Sequence, residues 1–411
     1  MKNLLLNAAI LTVCALVFWP NALNAQCFQT AGKLYKTDGT DCINSIFTGV
    51  PFLRTVADAR SSAMGDAGIA ISADANAIHF NASKLVFAEQ DMSFSANYTP
   101  WMRSIVNNAY LGYLNGFKKM GDRQAIGLGL RYFSSGELQF RDTNGEPLNT
   151  GIANEFELAI AYARKLSDHF SAGITGKFIY SDFAAGQPLR GGDIVSAGRA
   201  GAADISFTYE TRVDVQNWKS NLRIGLVLSN IGSKITYSNS LDREYLPTNL
   251  GLGAAWELQL NDYHALTLTA DINKLMVPTP CLNGGSSCDL NGNGRPDFKE
   301  HSPIVGMFKS FSDAPEGFSE EMRELMYSLG MEYWYKKRLA IRAGYFYESI
   351  TKGERAFFTT GLGFKYKEVL GLNFSYMTTT SIGPHPLDNT LRFSLLFGLN
   401  NDGIGTRSPI L

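Results

Sequence analysis

After Trp19 no apolar stretch of this 411-residue chain approaches the roughly 18 to 20 residues that a membrane-spanning helix requires. A helical membrane protein is therefore excluded. The chain also lacks a charge imbalance: 37 basic residues meet 38 acidic ones. No basic stripe is available for a phosphate backbone, so nucleic acid is not an expected partner. Histidine is scarce and scattered, at positions 79, 169, 264, 301 and 385. There is no nucleophile elbow and no paired-His zinc motif, and the chain is read as non-enzymatic. An outer-membrane hydrolase such as a lipid A deacylase would need a nucleophile beside a base. His169 and His264 fall instead at the starts of strands, where a polar ring at a rim is the plain explanation. Cysteine is scarce too. Cys14 lies in the leader, and the remaining four form two local pairs, Cys27 with Cys42 and Cys281 with Cys288. That spacing fits two small disulfide-closed loops in an oxidising compartment. Zinc is the rival, but only His301 stands near either pair.

What is present begins with Lys2, a mostly apolar run from Leu4 to Trp19, and the small-residue end Leu23-Asn24-Ala25. This reads as a signal peptide over residues 1–25, cleaved before Gln26. Asn24-Ala25-Gln26 lacks what a lipoprotein cleavage site needs before its Cys, so no lipid anchor is expected at Cys27. The exported chain is then either soluble or a β-barrel.

From Asp91 onward the sequence alternates. In "NLRIGLVLS" Leu222, Ile224, Leu226 and Leu228 share one face and Asn221, Arg223, Gly225 and Ser229 the other. "NLGLGAAWEL" and "AIGLGLRYF" repeat the pattern. Period two marks strands whose two sides meet different environments, which a soluble sandwich would show as well. The connections discriminate. Strands are expected near 92–99, 106–116, 123–141, 152–164, 168–181, 202–212, 218–230, 247–259, 263–275, 325–336, 338–349, 355–367, 370–379 and 389–399, fourteen in all. Every second connection is tight, and the others include the long stretches 182–201, 231–246 and 276–324. Short turns on one side, long loops on the other and an even strand count are the signature of an outer-membrane barrel. The expectation is an all-β fold: a fourteen-stranded antiparallel transmembrane β-barrel over 91–399 with an N-terminal plug segment over 26–90, long extracellular loops, a tail over 400–411, and both termini periplasmic. Closure leaves no unpaired strand edge in hydrocarbon. Aromatics at strand ends, such as Tyr98, Trp101, Tyr333 and Trp334, suit interfacial girdles.

The segment before the first strand, 51–90, does not alternate and is rich in Ala, Gly, Asp and Asn. Its "DARSSAMGDAGIA" follows no strand and precedes no Lys-Ser or Lys-Thr, so a phosphate cradle is not expected; small residues packed inside a barrel are. Asp58, Arg60 and Asp66 are candidates to pair with lumen charges such as Arg131, Arg223, Glu257 or Asp271. The Pro51-Phe52-Leu53-Arg54 entry, Asp58-Ala59-Arg60, Met64-Gly65-Asp66-Ala67-Gly68 and the Asn81-Ala82-Ser83-Lys84-Leu85 exit resemble the PorV family of the type IX secretion system, within the wider class of fatty-acid-transporter-like barrels. The exit departs from the family's usual Asn-Pro-Ala. The resemblance implies a cargo-handling role without catalysis. Its expected partners are the translocon barrel, the folded C-terminal signal domains of secreted cargo, a cell-surface attachment complex and outer-membrane lipid. The alternative is an outer-membrane transporter of fatty acids or other hydrophobic compounds.

One stretch stands apart. In "CDLNGNGRPDFKE" Asp289, Asn291, Asn293, Arg295 through its carbonyl, Asp297 and Glu300 fall at the ligand positions of a twelve-residue calcium loop, with Gly292 and Gly294 for the bend. Ca2+ is the expected ion; an Asn-Gly-rich surface turn is the competing reading. Residues 312–324 read as an N-capped helix leading into the tenth strand. Metal and disulfide together would then hold 276–324 as a rigid lid.

Overall fold

The structure is a computed structural model that describes residues 27–30, 33–36, 45–102, 106, 108–141, 147–183, 195–213, 218–237, 243–281, 289–314, 317–367, 369–380 and 387–400. The signal peptide, the tail beyond residue 400, Cys42, Cys288 and the side chain of Cys27 lie outside these residues, so the two cysteine pairings remain expectations.

A hairpin, β1 (Cys27–Thr30) with β2 (Lys33–Lys36), belongs to a compact unit of its own. The barrel strands are β3 (Met92–Pro100), β4 (Tyr110–Lys119), β5 (Gln124–Arg141), β6 (Pro147–Lys165), β7 (Phe170–Asp182), β8 (Gly198–Arg212), β9 (Lys219–Gly232), β10 (Asn249–Asn261), β11 (His264–Leu275), β12 (Leu325–Tyr335), β13 (Leu339–Tyr347), β14 (Ala356–Tyr366), β15 (Leu370–Thr379) and β16 (Thr390–Leu399). Each pairs antiparallel with the next, and β16 closes on β3 from Phe393 opposite Tyr98 to Leu399 opposite Met92.

The alternation is turned inside out relative to a soluble protein. Leu128, Ile160, Ile174, Leu252, Leu329 and Leu362 point outward and are exposed, while Arg131, Asp271, Glu332, Arg342 and Arg392 point inward and are buried. An apolar band on the outside and charge on the inside is stable only where the outside solvent is lipid. That observation separates a membrane barrel from a sandwich, which the period alone does not.

The inward Gly positions make room for the chain from Gly49 to Ala88. Ile78 lies against Gly127, Ser83 against Gly173, Ile69 against Gly225 and Gly253, and Met64 against Gly330. Gly330 and Gly344 face each other across β12 and β13, and the Met64–Gly65 backbone lies so close to Gly344 that a Cβ there would collide with it. Gly65 has φ +68°, and a Cβ on it would stand 2.5 Å from the Tyr345 carbonyl oxygen, so both space and dihedral require glycine.

The direction of this segment is fixed at both of its ends, while the chain termini, expected to be periplasmic, lie outside the described residues. Gly49 N–H donates to the Tyr245 carbonyl (2.8 Å), in the long connection between β9 and β10. At the other end Asp91 N–H donates to Leu399 and Lys119 N–H to Asp91, beside the tight turns. The segment therefore enters at the long-loop mouth and leaves at the turn end. Residue 49 and the end of β16 lie on opposite sides of the barrel. Alternation fixes strand parity, but it carries no information on which mouth a non-alternating segment enters.

Candidate functional site

The lumen segment is fixed by a small number of directed bonds. Pro51–Arg54 forms a 3-10 turn whose Phe52 and Leu53 pack with Leu111, Tyr113, Ile235 and Leu246. Asp58 caps the turn Ala59–Ser62 by accepting from Ser61 N–H (2.8 Å), and Asn81 caps 82–87 by accepting from Ser83 N–H. Arg60 is the central anchor: Nε and Nη2 donate to the two oxygens of Glu332 at 3.0 and 2.8 Å, and Nη1 reaches Asp74 at 3.3 Å. Glu332 also accepts from Arg342 Nε (2.7 Å), its cross-strand partner. A fork-to-fork pair of this kind fixes orientation as well as distance.

None of the four named lumen charges pairs with the side chain of Asp58, Arg60 or Asp66 among the described residues: Arg60 takes Glu332 and Asp74 instead. Asp271 and Arg131 do bind the segment, but through its backbone: Asp271 accepts from Gly68 and Ile69 N–H (2.7 and 2.9 Å), and Arg131 donates to the Phe52 and Leu53 carbonyls. Arg223 and Glu257 instead pair with each other (2.8 Å), Arg223 also reaching Glu210, and they take no part in holding the segment. Glu332 was the residue missed. Its signal was parity: Met326, Ser328, Gly330 and Glu332 share one face of β12, with Arg342 opposite on β13.

At the long-loop mouth the 276–324 connection is folded onto the barrel. A helix at Pro303–Lys309 starts at Ser302, whose side chain accepts from Val305 N–H, and a second helix spans Phe318–Arg323 behind Gly317 with no side-chain cap. The helix expected over 312–324 is thus shorter and uncapped, and the Ser-Pro start at 302–303 holds the capped one. Tyr245 Oη donates to the carbonyls of Phe298 (2.9 Å) and His301 (2.7 Å), and Lys299 pairs with Glu244 (2.7 Å). The strongest tie is ionic. Lys274 of β11 meets Glu321 (3.0 Å) and Glu324 (2.5 Å), and Lys352 meets Glu320 (2.6 Å) and Glu324 (2.9 Å), all nearly excluded from solvent. Thr279 Oγ1 donates to Glu324 (2.7 Å), filling another of its lone pairs.

This anchoring turns apolar side chains away from the protein. Phe308 is 71% exposed, Phe318 79% and Ile304 62%, while Met307 and Gly306 on the opposite face are buried against the barrel mouth. Exposed aromatic and aliphatic side chains thus stand on both short helices of this connection.

The six residues expected to bind calcium are drawn into one knot. Asp289 accepts from Asn293 and Gly294 N–H (3.0 and 2.6 Å), and Glu300 accepts from the side-chain amides of Asn291 (2.8 Å) and Asn293 (2.5 Å). Asp297 accepts from Leu290 N–H through one oxygen (3.2 Å), while its other oxygen is buried without a partner. Arg295 N–H donates to the Asn293 side chain (2.9 Å), and Gly292 and Gly294 have φ +71° and +83°, as the bend requires. Among the described residues no group of three His, Cys, Asp or Glu side chains is gathered at metal-holding distance, because the Asn amides stand between the carboxylates. The described histidines stay apart: His79 contacts Arg131 in the lumen, and His169 and His264 stand at the turn rim.

The model of the type IX secretion system protein PorV matches residues 38–282, more than half of the chain. The chain belongs to the PorV family. It is an outer-membrane component of the type IX secretion system, a barrel with no enzymatic role. The motifs that carry the family likeness are the ones that seat the lumen segment of this PorV-family barrel: Gly65 against β13, Asp58 as a cap, and Asn81 donating to Thr208 (2.9 Å). No curated protein sequence matches the chain. Solved structures similar to it include the Ralstonia pickettii toluene transporter TbuX (12% identity, TM-score 0.46, 85% of this chain and 99% of that one). Others are the CymD monoaromatic hydrocarbon channel (14%, 0.46, 84% and 98%) and a Pseudomonas aeruginosa FadL homologue (11%, 0.41, 87% and 100%).

Proposed function

We propose that the protein takes hold of the folded C-terminal signal domain of secreted cargo at the translocon barrel and carries it to the cell-surface attachment complex, using the long-loop face as its contact surface. The observation that supports this reading is the exposure of Ile304, Phe308 and Phe318 on two short helices of the long loop, the second helix tied down by buried ion pairs and the chain just before the first by Tyr245 and Glu244. A loop that only connected two strands would leave these side chains free to collapse onto the barrel. Exposed aromatics on a rigid base are the anchors that dominate protein interfaces. The role requires no reaction at a side chain and no open lumen, and the lumen here is occupied by 49–88.

The test replaces Phe308 and Phe318 by Ser and measures co-purification of a cargo C-terminal domain with the mature protein. A loss of about tenfold or more is expected, since a hot-spot aromatic contributes about 2 kcal/mol or more. In cells, deletion should leave folded precursors with uncleaved C-terminal signals in the periplasm. Normal secretion with arrested uptake of a hydrophobic compound would establish the transporter reading instead.

Calcium belongs to the same reading. Asp289, Asn291, Asn293, Asp297, Glu300 and the Arg295 carbonyl would hold the ion, which would draw the carboxylates together and stiffen the outer part of the loop. Replacing Asp289 and Glu300 by Ala should abolish calcium binding in calorimetry and raise protease sensitivity within 276–324, with the barrel still folded. Equal protease sensitivity with calcium and with chelator in the unmodified protein would refute it.

A further inference from the structure

On the outer wall of β10–β14 a depression of about 630 Å³ interrupts the apolar band. Its floor is made by Ala254 paired with Ala270, and by Gly330 paired with Gly344. Trp256, Leu268, Met331 and Phe358 are among the larger side chains that surround it. The depression is open because the outward positions Ala270 and Ala343 carry only a methyl group, while Met64 and Gly65 lie against the inner side of the glycine pair.

Directly along the same strands, the tight turns carry a group of cations. Lys336, Lys337 and Arg338 join β12 to β13, and Lys365 and Lys367 flank the end of β14. Aromatic rings stand among them: Lys336 Nζ lies 5.3 Å from the ring centres of Tyr263 and of Tyr335, and Lys367 lies 5.4 Å from Tyr366, whereas Lys365 is on the inward face of β14, 5.0 Å from Trp334. Asp262 is exposed on the neighbouring β10–β11 turn and Glu368 follows Lys367 in sequence; Glu332 nearby points inward and is committed to Arg60 and Arg342. The β12–β13 turn carries three consecutive cations with no acidic residue among them, whereas Asp122 stands with Lys118 and Arg123 at the β4–β5 turn, Asp168 stands with Arg164 and Lys165 at the β6–β7 turn, and Lys119 is turned inward to the Ala88 carbonyl.

We propose that this side of the barrel binds one anionic phospholipid of the inner leaflet, with its phosphate headgroup on Lys336, Lys337 and Arg338 and an acyl chain in the depression above. The dimensions agree. Met331 and Ala343 stand five residues from Lys336 and Arg338, and Leu329 seven from Lys336. At about 3.3 Å per residue and a strand tilt of about 40° this is a depth of roughly 13 to 18 Å. That is the reach of one leaflet of a hydrocarbon core about 30 Å thick. Basic side chains beside a membrane favour anionic over zwitterionic headgroups, and interfacial tyrosines fix the depth. Outer-membrane barrels place their short turns toward the periplasm, so the inner leaflet supplies the lipid.

The experiment uses the mature full-length protein in nanodiscs of mixed phosphatidylglycerol and phosphatidylethanolamine, read by native mass spectrometry. One retained phosphatidylglycerol is expected, favoured over its bulk proportion by about tenfold or more, with the preference lost in K336Q/K337Q/R338Q. A270L/A343L, which fills the depression, should lose retained lipid of either headgroup. Heat-modifiable gel migration verifies that each variant is a folded barrel. Lipid retained in bulk proportion by the unmodified protein would overturn the proposal, as would an unchanged preference in the triple variant. Retained lipopolysaccharide in place of phospholipid would also overturn it. If A270L/A343L leaves lipid unchanged but removes a co-purifying protein, the depression is a protein interface and the lipid assignment fails.

Discussion

The lumen segment and the long loop are both held by buried charge, yet the two arrangements differ in kind. In the lumen Arg60 and Arg342 grip Glu332 through planar forks, with Asp74 as a further carboxylate, so two cations meet two anions. At the mouth Lys274 and Lys352 meet Glu320, Glu321 and Glu324, so two point charges serve three carboxylates. A guanidinium fork fixes direction, whereas an ammonium tolerates small shifts of its partners. The segment inside is therefore fixed in direction as well as distance, and the loop outside is tied down through distance alone.

The largest expected effect comes from breaking the lumen lock. Glu332→Ala leaves two buried guanidiniums without their shared carboxylate, a change that costs about 3–5 kcal/mol when a buried pair loses one partner. The variant should show a lower thermal transition and, because the segment can then move, measurable ion conductance in planar bilayers. Glu332→Gln, which keeps the shape and one acceptor, should fall between. Wild-type melting and conductance in both variants would mean that small-residue packing alone holds the segment.

Loosening the loop should cost less and act elsewhere. Lys352→Met removes one ammonium, but Glu324 keeps Lys274 and Thr279 as partners. A loss of about 1.5–3 kcal/mol is expected, the scale of a hydrogen bond to a charged group. Its readout is faster proteolysis within 303–324 with an unchanged barrel transition. If Lys352→Met lowers the barrel transition as much as Glu332→Ala, the two regions are one cooperative unit and the contrast fails.

How far these regions could be read beforehand follows the same division. The strands were legible because Leu222, Ile224, Leu226 and Leu228 repeat at period two, and the observed β9, Lys219–Gly232, agrees closely with the expected 218–230. The lumen segment was legible as a segment, since Ala and Gly without alternation suit neither strand nor lipid. Its partners were not, because Arg60 and Glu332 are 272 residues apart and only closure of the barrel brings them together. The loop's anchors were hidden for a like reason. Glu320, Glu321 and Glu324 look like the polar face of a solvated helix until Lys274 and Lys352 are placed beneath them. The β1–β2 hairpin was missed because its strands are only four residues each, too short to show a period.

The smallest expected effect concerns the carboxylate that the lysines do not reach. Asp313 lies beside Glu321 and Glu324 and accepts from Thr279 N–H (3.2 Å), while its other oxygen has no partner. Desolvation, joined by the two neighbouring glutamates and partly offset by the Thr279 bond, raises its pKa to about 6. A raised carboxylate pKa means that the packed loop favours the protonated form. The stabilisation is full below the ordinary carboxylate range and is lost as pH rises through about 6. Glu348 does not oppose this window: burial pushes its pKa up, but Arg355 and Arg54 outweigh that and hold it below its ordinary value, so it stays charged. Asp313 is partly exposed and screened by solvent, which limits the effect to well under about 1 kcal/mol. Hydrogen exchange of residues 303–324 should therefore slow modestly between pH 7 and pH 5, after correction for intrinsic rates, and Asp313→Asn should remove the dependence. A loop that loosens on acidification over that range would show that the glutamates, not Asp313, titrate first.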